Sequence, residues 1–139
     1  MRHFSLPVRV YIEDTDAGGI VYHASHLRFM ERARTEWLRA GGIELDAWRE
    51  RHRRLFVVRS MTVEWLLPAR LDECLDVRVE PVTVKRASVV LEQPILRGDA
   101  VVTRATVQLA CIDADKMSAG RPPVVAIPPA IREAMTRER

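Results

Sequence analysis

From residue 4 to residue 13 hydrophobic and polar side chains alternate, with Phe4, Leu6, Val8, Val10 and Ile12 on one side and Ser5, Arg9, Tyr11 and Glu13 on the other. A period of two predicts a half-buried strand. It runs into Asp14-Thr15-Asp16-Ala17-Gly18-Gly19, where the two glycines permit backbone angles closed to other residues and let a ligand come near. From about residue 24 to residue 40 the period changes. Leu27, Met30, Ala33, Trp37 and Ala40 recur at helical spacing, and Arg28, Glu31, Arg32, Arg34, Glu36 and Arg39 fill the other positions. Ser25 is the expected N-cap and Gly41-Gly42 the stop. Such a helix is long enough to cross a sheet.

After a polar, arginine-rich connection the alternation returns in four runs, at about 55 to 67, 74 to 84, 87 to 96 and 100 to 113. The first is expected to bury Val57, Met61, Val63, Trp65 and Leu67. The last sets Val101, Thr103, Ala105, Val107, Leu109 and Cys111 against Arg104, Thr106 and Gln108. Arg97-Gly98-Asp99-Ala100 reads as a hairpin turn. Met117 to Pro129 reads as loop, and Ala130 to Arg139 as a short terminal helix. The order predicts an α+β fold with a five-stranded antiparallel sheet and one long helix. One helix covers one face of a sheet, so the opposite face is expected to meet a partner, most simply an identical subunit.

With 139 residues and charges spread throughout, the chain is expected to form a single domain spanning 1–139. The net charge of +3 comes mainly from arginine, since only Lys85 and Lys116 are lysines. Arginine's planar fork suits phosphate and carboxylate groups. The block Arg49-Glu50-Arg51-His52-Arg53-Arg54 reads as a solvated helix end or loop, and no nucleic-acid partner is expected. Cys74 and Cys111 stand far apart without a CxxC pair or a Cys/His cluster, so buried free thiols are expected rather than zinc or a disulfide. The segment from Met1 to Pro7 lacks the apolar stretch of a signal peptide, and no apolar run approaches the roughly 18 residues of a membrane span. A cytoplasmic protein is the expectation.

The segment from Tyr11 to Ala24 joins a strand to a helix start and carries Glu13, Asp14 and Asp16. Amides at a helix N-terminus have no intrahelical partner and carry partial positive charge, which suits an oxyanion growing on an acyl carbonyl. A carboxylate beside that carbonyl can attack it or activate a water. A thiolate leaves readily, so one carboxylate and one oxyanion hole can suffice for a thioester; no GxSxG elbow is present. On spacing alone, Asp-x-Asp-x-Gly also reads as a solvated turn capped by its own side chains. An EF-hand starting at Asp14 would need a bidentate Glu where Ser25 stands, which excludes it.

The stretch from Val8 to Arg39, with Asp14-Thr15-Asp16-Ala17-Gly18-Gly19-Ile20-Val21-Tyr22-His23-Ala24 followed by Glu31-Arg32-Ala33-Arg34-Thr35-Glu36, closely resembles the 4-hydroxybenzoyl-CoA thioesterase superfamily. Within it the resemblance is to the Tol-Pal-associated, YbgC-like acyl-CoA thioesterases. It implies a hotdog fold, a sheet wrapped around one long helix, assembled as homodimers or homotetramers. It implies acyl-CoA as substrate, acyl carrier protein as a further candidate carrier or partner, and no cofactor beyond the CoA of the substrate. It makes Asp16 catalytic and Asp14 loop-shaping, with the oxyanion amide at about His23, whose side chain orients substrate or water or makes one local bond. Gly18, Gly19 and Tyr22 would lie at the thioester, while Ser60 and Arg86 would line the acyl pocket and hold the CoA phosphates. His26 could pair with His23, but two ligands do not make a metal site, and none is expected. Glu31 is expected to form a salt bridge with Arg28 or Arg34. The competing reading is a non-catalytic hotdog module that binds acyl carrier protein or lipid-synthesis enzymes.

Overall fold

The computed structural model describes residues 3–117, 120 and 123–137. The elements run β1 (Phe4–Arg9), α1 (His23–Ala40), α2 (Leu45–His52), β2 (Arg54–Trp65), β3 (Cys74–Val84), β4 (Ser88–Glu92), β5 (Ile95–Arg97), β6 (Ala100–Asp113) and α3 (Pro129–Thr136). All strands join one antiparallel sheet in the order β1-β3-β4-β6-β2, with β5 between β3 and β6. Leu75, Val77 and Val79 of β3, Val89 and Leu91 of β4, and Ala105, Val107 and Cys111 of β6 supply the core against Phe29, Met30, Ala33 and Trp37 of α1. This is the expected hotdog arrangement, with six strands instead of five. The expected run from 87 to 96 breaks at Gln93-Pro94, because proline has no N–H for a ladder. The break turns Gln93 inward: its Nε2 donates to Met30 O at 3.0 Å, and its Oε1 accepts from Arg34 Nη1 at 2.7 Å.

That bond explains a correction to the helix. The buried face of α1 carries Ser25, His26, Phe29, Met30, Ala33, Arg34, Trp37 and Leu38, whereas Ala40 is exposed and Leu27 only half-buried. Arg34 enters the core because Gln93 and Glu31 satisfy its guanidinium. Tyr22, not Ser25, is the N-cap, and Ser25 accepts from Arg28 Nη2 inside the first turn. The stop falls as expected. Ile43 N donates to Leu38 O and Gly42 N to Arg39 O, with Gly42 at φ 86°, the paired bonds of a Schellman ending that requires the left-handed angle.

Ile12 does not continue β1; it lies in a 3-10 turn, Ile12–Asp14, and is exposed. The arginine-rich connection contains α2, whose Arg49, Glu50 and Arg51 are solvated as expected. Strand β2 is an edge strand and is less buried than its alternation suggests: Trp65 and Leu67 are exposed, and Val57, Met61 and Val63 only half-buried. A register shift between Val58 and Ser60 leaves Arg59 unpaired, so Phe56 and Val58 before it share the helix-side face with Met61, Val63 and Trp65 after it. The opposite sheet face carries Asp76, Arg78, Glu80, Glu92, Arg104, Thr106 and Gln108 beside Val57, Val90 and Ala110. It is largely polar and does not itself demand an apolar partner. Exposed apolar groups gather instead on β2 and the loop after it, at Val58, Trp65, Leu66, Leu67 and Leu71.

The turn between Arg97 and Ala100 forms as expected, with Gly98 at φ 61°. Cys111 is a buried thiol, but Cys74 is exposed at the start of β3. The tail docks through Val125 N to Cys111 O and Ile127 N to Arg86 O, and α3 buries Ile131, Ala134 and Met135. Met1 and Arg2, part of the segment expected to lack a signal peptide, lie outside the described residues, as do parts of the expected tail loop and Glu138 and Arg139 of the expected terminal helix. Among the described residues no helix is long and apolar enough to cross a membrane.

Candidate active site

The segment between β1 and α1 is a small hairpin folded on itself. Thr15 pairs with Val21, Asp16 N donates to Ile20 O at 2.9 Å, and Gly19 N donates to Asp16 O at 3.0 Å. Asp16 Oδ1 accepts from Gly18 N at 2.8 Å. This is the self-capped turn that the spacing alone permits. A side chain at Gly18 would stand 3.2 Å from Asp16 Oδ1, and Gly19 sits at φ 80°. The Gly18 amide therefore fixes where the carboxylate points, and the left-handed Gly19 closes the turn that holds it. Asp16 is exposed, and among the described residues no hydrogen bond engages its Oδ2.

Asp14 shapes the loop, as expected. It is buried, its Oδ2 accepts from Tyr11 N at 2.8 Å, and its carbonyl accepts from Tyr22 N at 2.9 Å. The second bond returns the chain to the start of α1. Val21 N to Ala69 O and the Ile20–Arg70 bridge fasten the loop to the segment after β2.

Helix α1 begins at His23 without a side-chain cap. Ser25 N turns back to Tyr22 O at 2.8 Å, and among the described residues no backbone carbonyl outside the helix accepts from His23 N or Ala24 N. These are the orphan, partly positive amides of a helix start. Tyr22 and His23 are exposed, and their rings lie 4.5 Å apart. Two residues that pair across β2 and β6 hold this turn from below: Trp65 Nε1 donates to His23 O at 3.0 Å, and Thr103 Oγ1 lies 3.1 Å from His26 Nδ1. The Trp65 indole meets the His23 ring edge-on at 5.7 Å.

His26 is therefore a buried, partnered core residue. Burial, with a smaller contribution from His23, pushes its pKa from 6.5 down to about 4. Trp65 and Thr103 escaped the sequence reading because their alternation marks them only as core positions. His26 Nδ1 is committed to Thr103.

The other expected site residues lie elsewhere in the chain. Ser60, on β2, donates its hydroxyl to Gln108 Oε1 at 3.1 Å, on the sheet face opposite α1. Arg86 lies in the turn between β3 and β4, where it lines a concave patch with Lys85, Arg132 and Glu133. Among the described residues no hydrogen bond or ion pair joins Ser60 or Arg86 to the Asp16 loop. Glu31 forms the expected salt bridge, 3.0 Å to Arg34 Nη2.

Chemically, the loop and helix start combine an oriented, solvated carboxylate with free amide donors.

Residues 10–135 match the thioesterase-like superfamily. The chain is 46% identical to the acyl-CoA thioesterase YbgC of Haemophilus influenzae over 82% of this chain and 84% of that protein. It is 47% identical to the acyl-CoA thioester hydrolase YbgC of Escherichia coli, over 82% and 85%. Among solved structures, a probable thioesterase from Bartonella henselae superposes with a TM-score of 0.76 at 33% identity, covering 92% of this chain and 100% of that one. A hypothetical protein from Aquifex aeolicus superposes at 0.84 with 24% identity, over 96% and 99%.

Proposed function

The chain belongs to the thioesterase-like superfamily, and from that premise we propose that it is an acyl-CoA thioester hydrolase working through Asp16 and the first amides of α1. The observation that carries this reading is the short hairpin that presents an exposed, glycine-oriented carboxylate on the segment leading into an uncapped helix start. Relatives that align over most of the chain are named acyl-CoA thioesterases.

In the proposed reaction the thioester carbonyl oxygen faces the His23 amide, while Gly18, Gly19 and Tyr22 border the reacting group. Asp16 either removes the proton of an attacking water or attacks the carbonyl carbon itself. In both routes negative charge grows on the carbonyl oxygen, where helix-start amides stabilise it. The C–S bond then breaks and CoA leaves as the thiolate; the water route yields the acid directly, whereas attack by Asp16 leaves a mixed anhydride that a water hydrolyses to release the acid and restore the carboxylate. The chemistry needs no cofactor beyond the CoA of the substrate.

Arg86, with Lys85 and Arg132 beside it, is the proposed holder of the CoA phosphates. Because among the described residues that patch makes no polar contact with the Asp16 loop, the proposal places it in a homodimer, each loop served by the neighbour's cations. The long free edge of β2 with its exposed Val58 and Trp65 supports pairing of sheets between subunits.

A panel of short, medium and long acyl-CoAs, assayed for free thiol, tests the activity. Turnover of at least one class is expected. Absence of turnover on CoA and acyl carrier protein thioesters alike would leave a binding module.

A further inference from the structure

Helix α1 starts without a side-chain cap: Tyr22 holds the N-cap position, and its side chain makes no cap hydrogen bond. An ordinary cap oxygen accepts from the second or third amide of a helix, here Ala24 or Ser25, and would sit at the helix end that the thioester oxygen has to approach. An uncapped end frays unless other contacts hold it. Here the hold comes from the sheet. Trp65 Nε1 donates to the His23 carbonyl at 3.0 Å, and Thr103 Oγ1 lies 3.1 Å from His26 Nδ1. Neither contact uses a first-turn amide, so the donors stay free.

Of these two supports Thr103 has the firmer footing. Trp65 ends β2, whereas Thr103 lies inside β6, paired with Trp65 on one side and with Ile95 on the other. Thr103 is fully buried and His26 nearly so, and the His26 ring meets Phe29 edge-on at 6.2 Å. Ala105 and Val107 follow Thr103 on the same buried face, where a valine of the same shape would bring no polar atom to satisfy. Replacing both members of a buried polar pair by apolar groups of like shape is nearly neutral for stability, so folding alone does not call for this pair. What it adds is geometry, a fixed link from a doubly paired strand to the first turn of the helix.

We propose that Thr103 and His26 are positioning residues of the thioester hydrolysis, setting the first turn of α1 so that the His23 and Ala24 amides point at the oxygen that gains charge. The inference rests on the thioesterase reading and adds to it the side chains that aim its oxyanion donors. Neither side chain touches the substrate. Loss of the link lets the turn shift slightly, and a small misplacement of donors weakens the transition state more than the bound ground state. Such a loss lowers kcat and kcat/KM together and leaves KM nearly unchanged.

The test combines steady-state kinetics on the acyl-CoA that the parent hydrolyses fastest with urea unfolding and nitrogen–proton spectra of each variant. Thr103→Val should lower kcat at least about fivefold with KM within about twofold of the parent. It should also move the amide signals of His23 and Ala24 while leaving that of Gly18 in place. Thr103→Ser keeps the hydroxyl and should return kcat to within about twofold of the parent. Thr103→Val combined with His26→Phe makes the pair apolar and should regain the stability lost in Thr103→Val without regaining kcat. A purely structural pair cannot separate those two quantities. Should Thr103→Val fold poorly, His26→Phe alone takes its place with the same expected loss of kcat. With an active parent, the inference is overturned if Thr103→Val keeps its kcat, changes KM alone or leaves both helix-start amides unmoved. It is equally overturned if Thr103→Ser is as slow as Thr103→Val, or if kcat returns with stability in the double variant; the thioesterase reading survives each of these results. A parent that turns over no thioester overturns both.

Discussion

Trp65 Nε1 donates to the carbonyl of His23 at 3.0 Å, so the last residue of β2 grips the first residue of α1. The bond holds the His23–Ala24 peptide, the one that follows the proposed oxyanion donor, the His23 amide. Trp65→Phe preserves an aromatic ring and removes the donor. A partly exposed hydrogen bond contributes on the order of 1 kcal/mol, so kcat should fall about threefold to tenfold with KM nearly unchanged and Tm little altered. Steady-state kinetics checks this; a change confined to KM would separate the bond from the chemistry.

Asp16→Asn keeps the shape of the turn, since an amide oxygen can still accept from Gly18 N, but removes the basic or nucleophilic oxygen. It should lower kcat at least roughly a hundredfold with thermal stability retained. Asp14→Asn acts differently. Its buried carboxylate caps Tyr11 N at 2.8 Å, so the substitution should cost about 1 kcal/mol in urea unfolding and reduce kcat by less. Near-normal turnover in Asp16→Asn would falsify the catalytic assignment.

Much of this was legible in the chain because periodicity reports burial where an element has one wet and one dry face. Strands β3 and β6 and the Met30, Ala33 and Trp37 positions of α1 obey it, and the paired glycines after Ala40 mark a stop that only left-handed backbone allows. It failed where one residue changes the count. The unpaired Arg59 flips the face of β2, and Pro94 divides one strand into β4 and β5. Arg34 looked solvent-facing because its partner Gln93 lies 59 positions away, and no local pattern encodes such a contact. The carboxylate loop was readable through its motif. The Trp65 and Thr103 supports under the helix start were not, since a polar contact made from a core position leaves the alternation unchanged.

His26 gives a pH dependence with a defined sign. Its folded-state pKa of about 4 lies below the ordinary 6.5 because the ring is buried and, to a smaller degree, because His23 stands near it. Between those values the unfolded chain binds the proton and the folded one does not, so stability falls as pH drops through this window and is insensitive to His26 above it. The loss should be on the order of 2 kcal/mol. Urea unfolding at pH 7 and pH 4.5 should show a smaller difference in His26→Gln than in the parent. An unchanged difference would place the acid sensitivity elsewhere.

If Arg86 holds a CoA phosphate, Arg86→Ala should raise KM for acyl-CoA while sparing a truncated thioester that lacks the nucleotide. A charge-assisted contact is worth about 1.5–3 kcal/mol, roughly a tenfold or greater rise in KM. Lys85→Ala and Arg132→Ala, altering neighbours in the same patch, should show the same substrate selectivity with smaller effects. Equal effects on both substrates would make Arg86 structural, through the turn that receives Ile127 N.

The division of the site between subunits can be tested by complementation. Asp16 sits before α1, and Arg86 in the turn between β3 and β4 beside α3; the proposal pairs one chain's loop with its neighbour's turn. Asp16→Asn chains and Arg86→Glu chains should each be weak on acyl-CoA. After subunit exchange, a mixed dimer holds one site with both lesions and one with neither, so activity should rise above either parent toward a quarter of the native value in an equal mixture. Native mass spectrometry confirms the exchange. If mixed dimers form and activity does not recover, the two residues serve one chain or Arg86 lies outside the site. The truncated thioester separates these: a CoA-specific defect in Arg86→Glu keeps the arginine in the site within its own chain, and an equal defect on both substrates removes it.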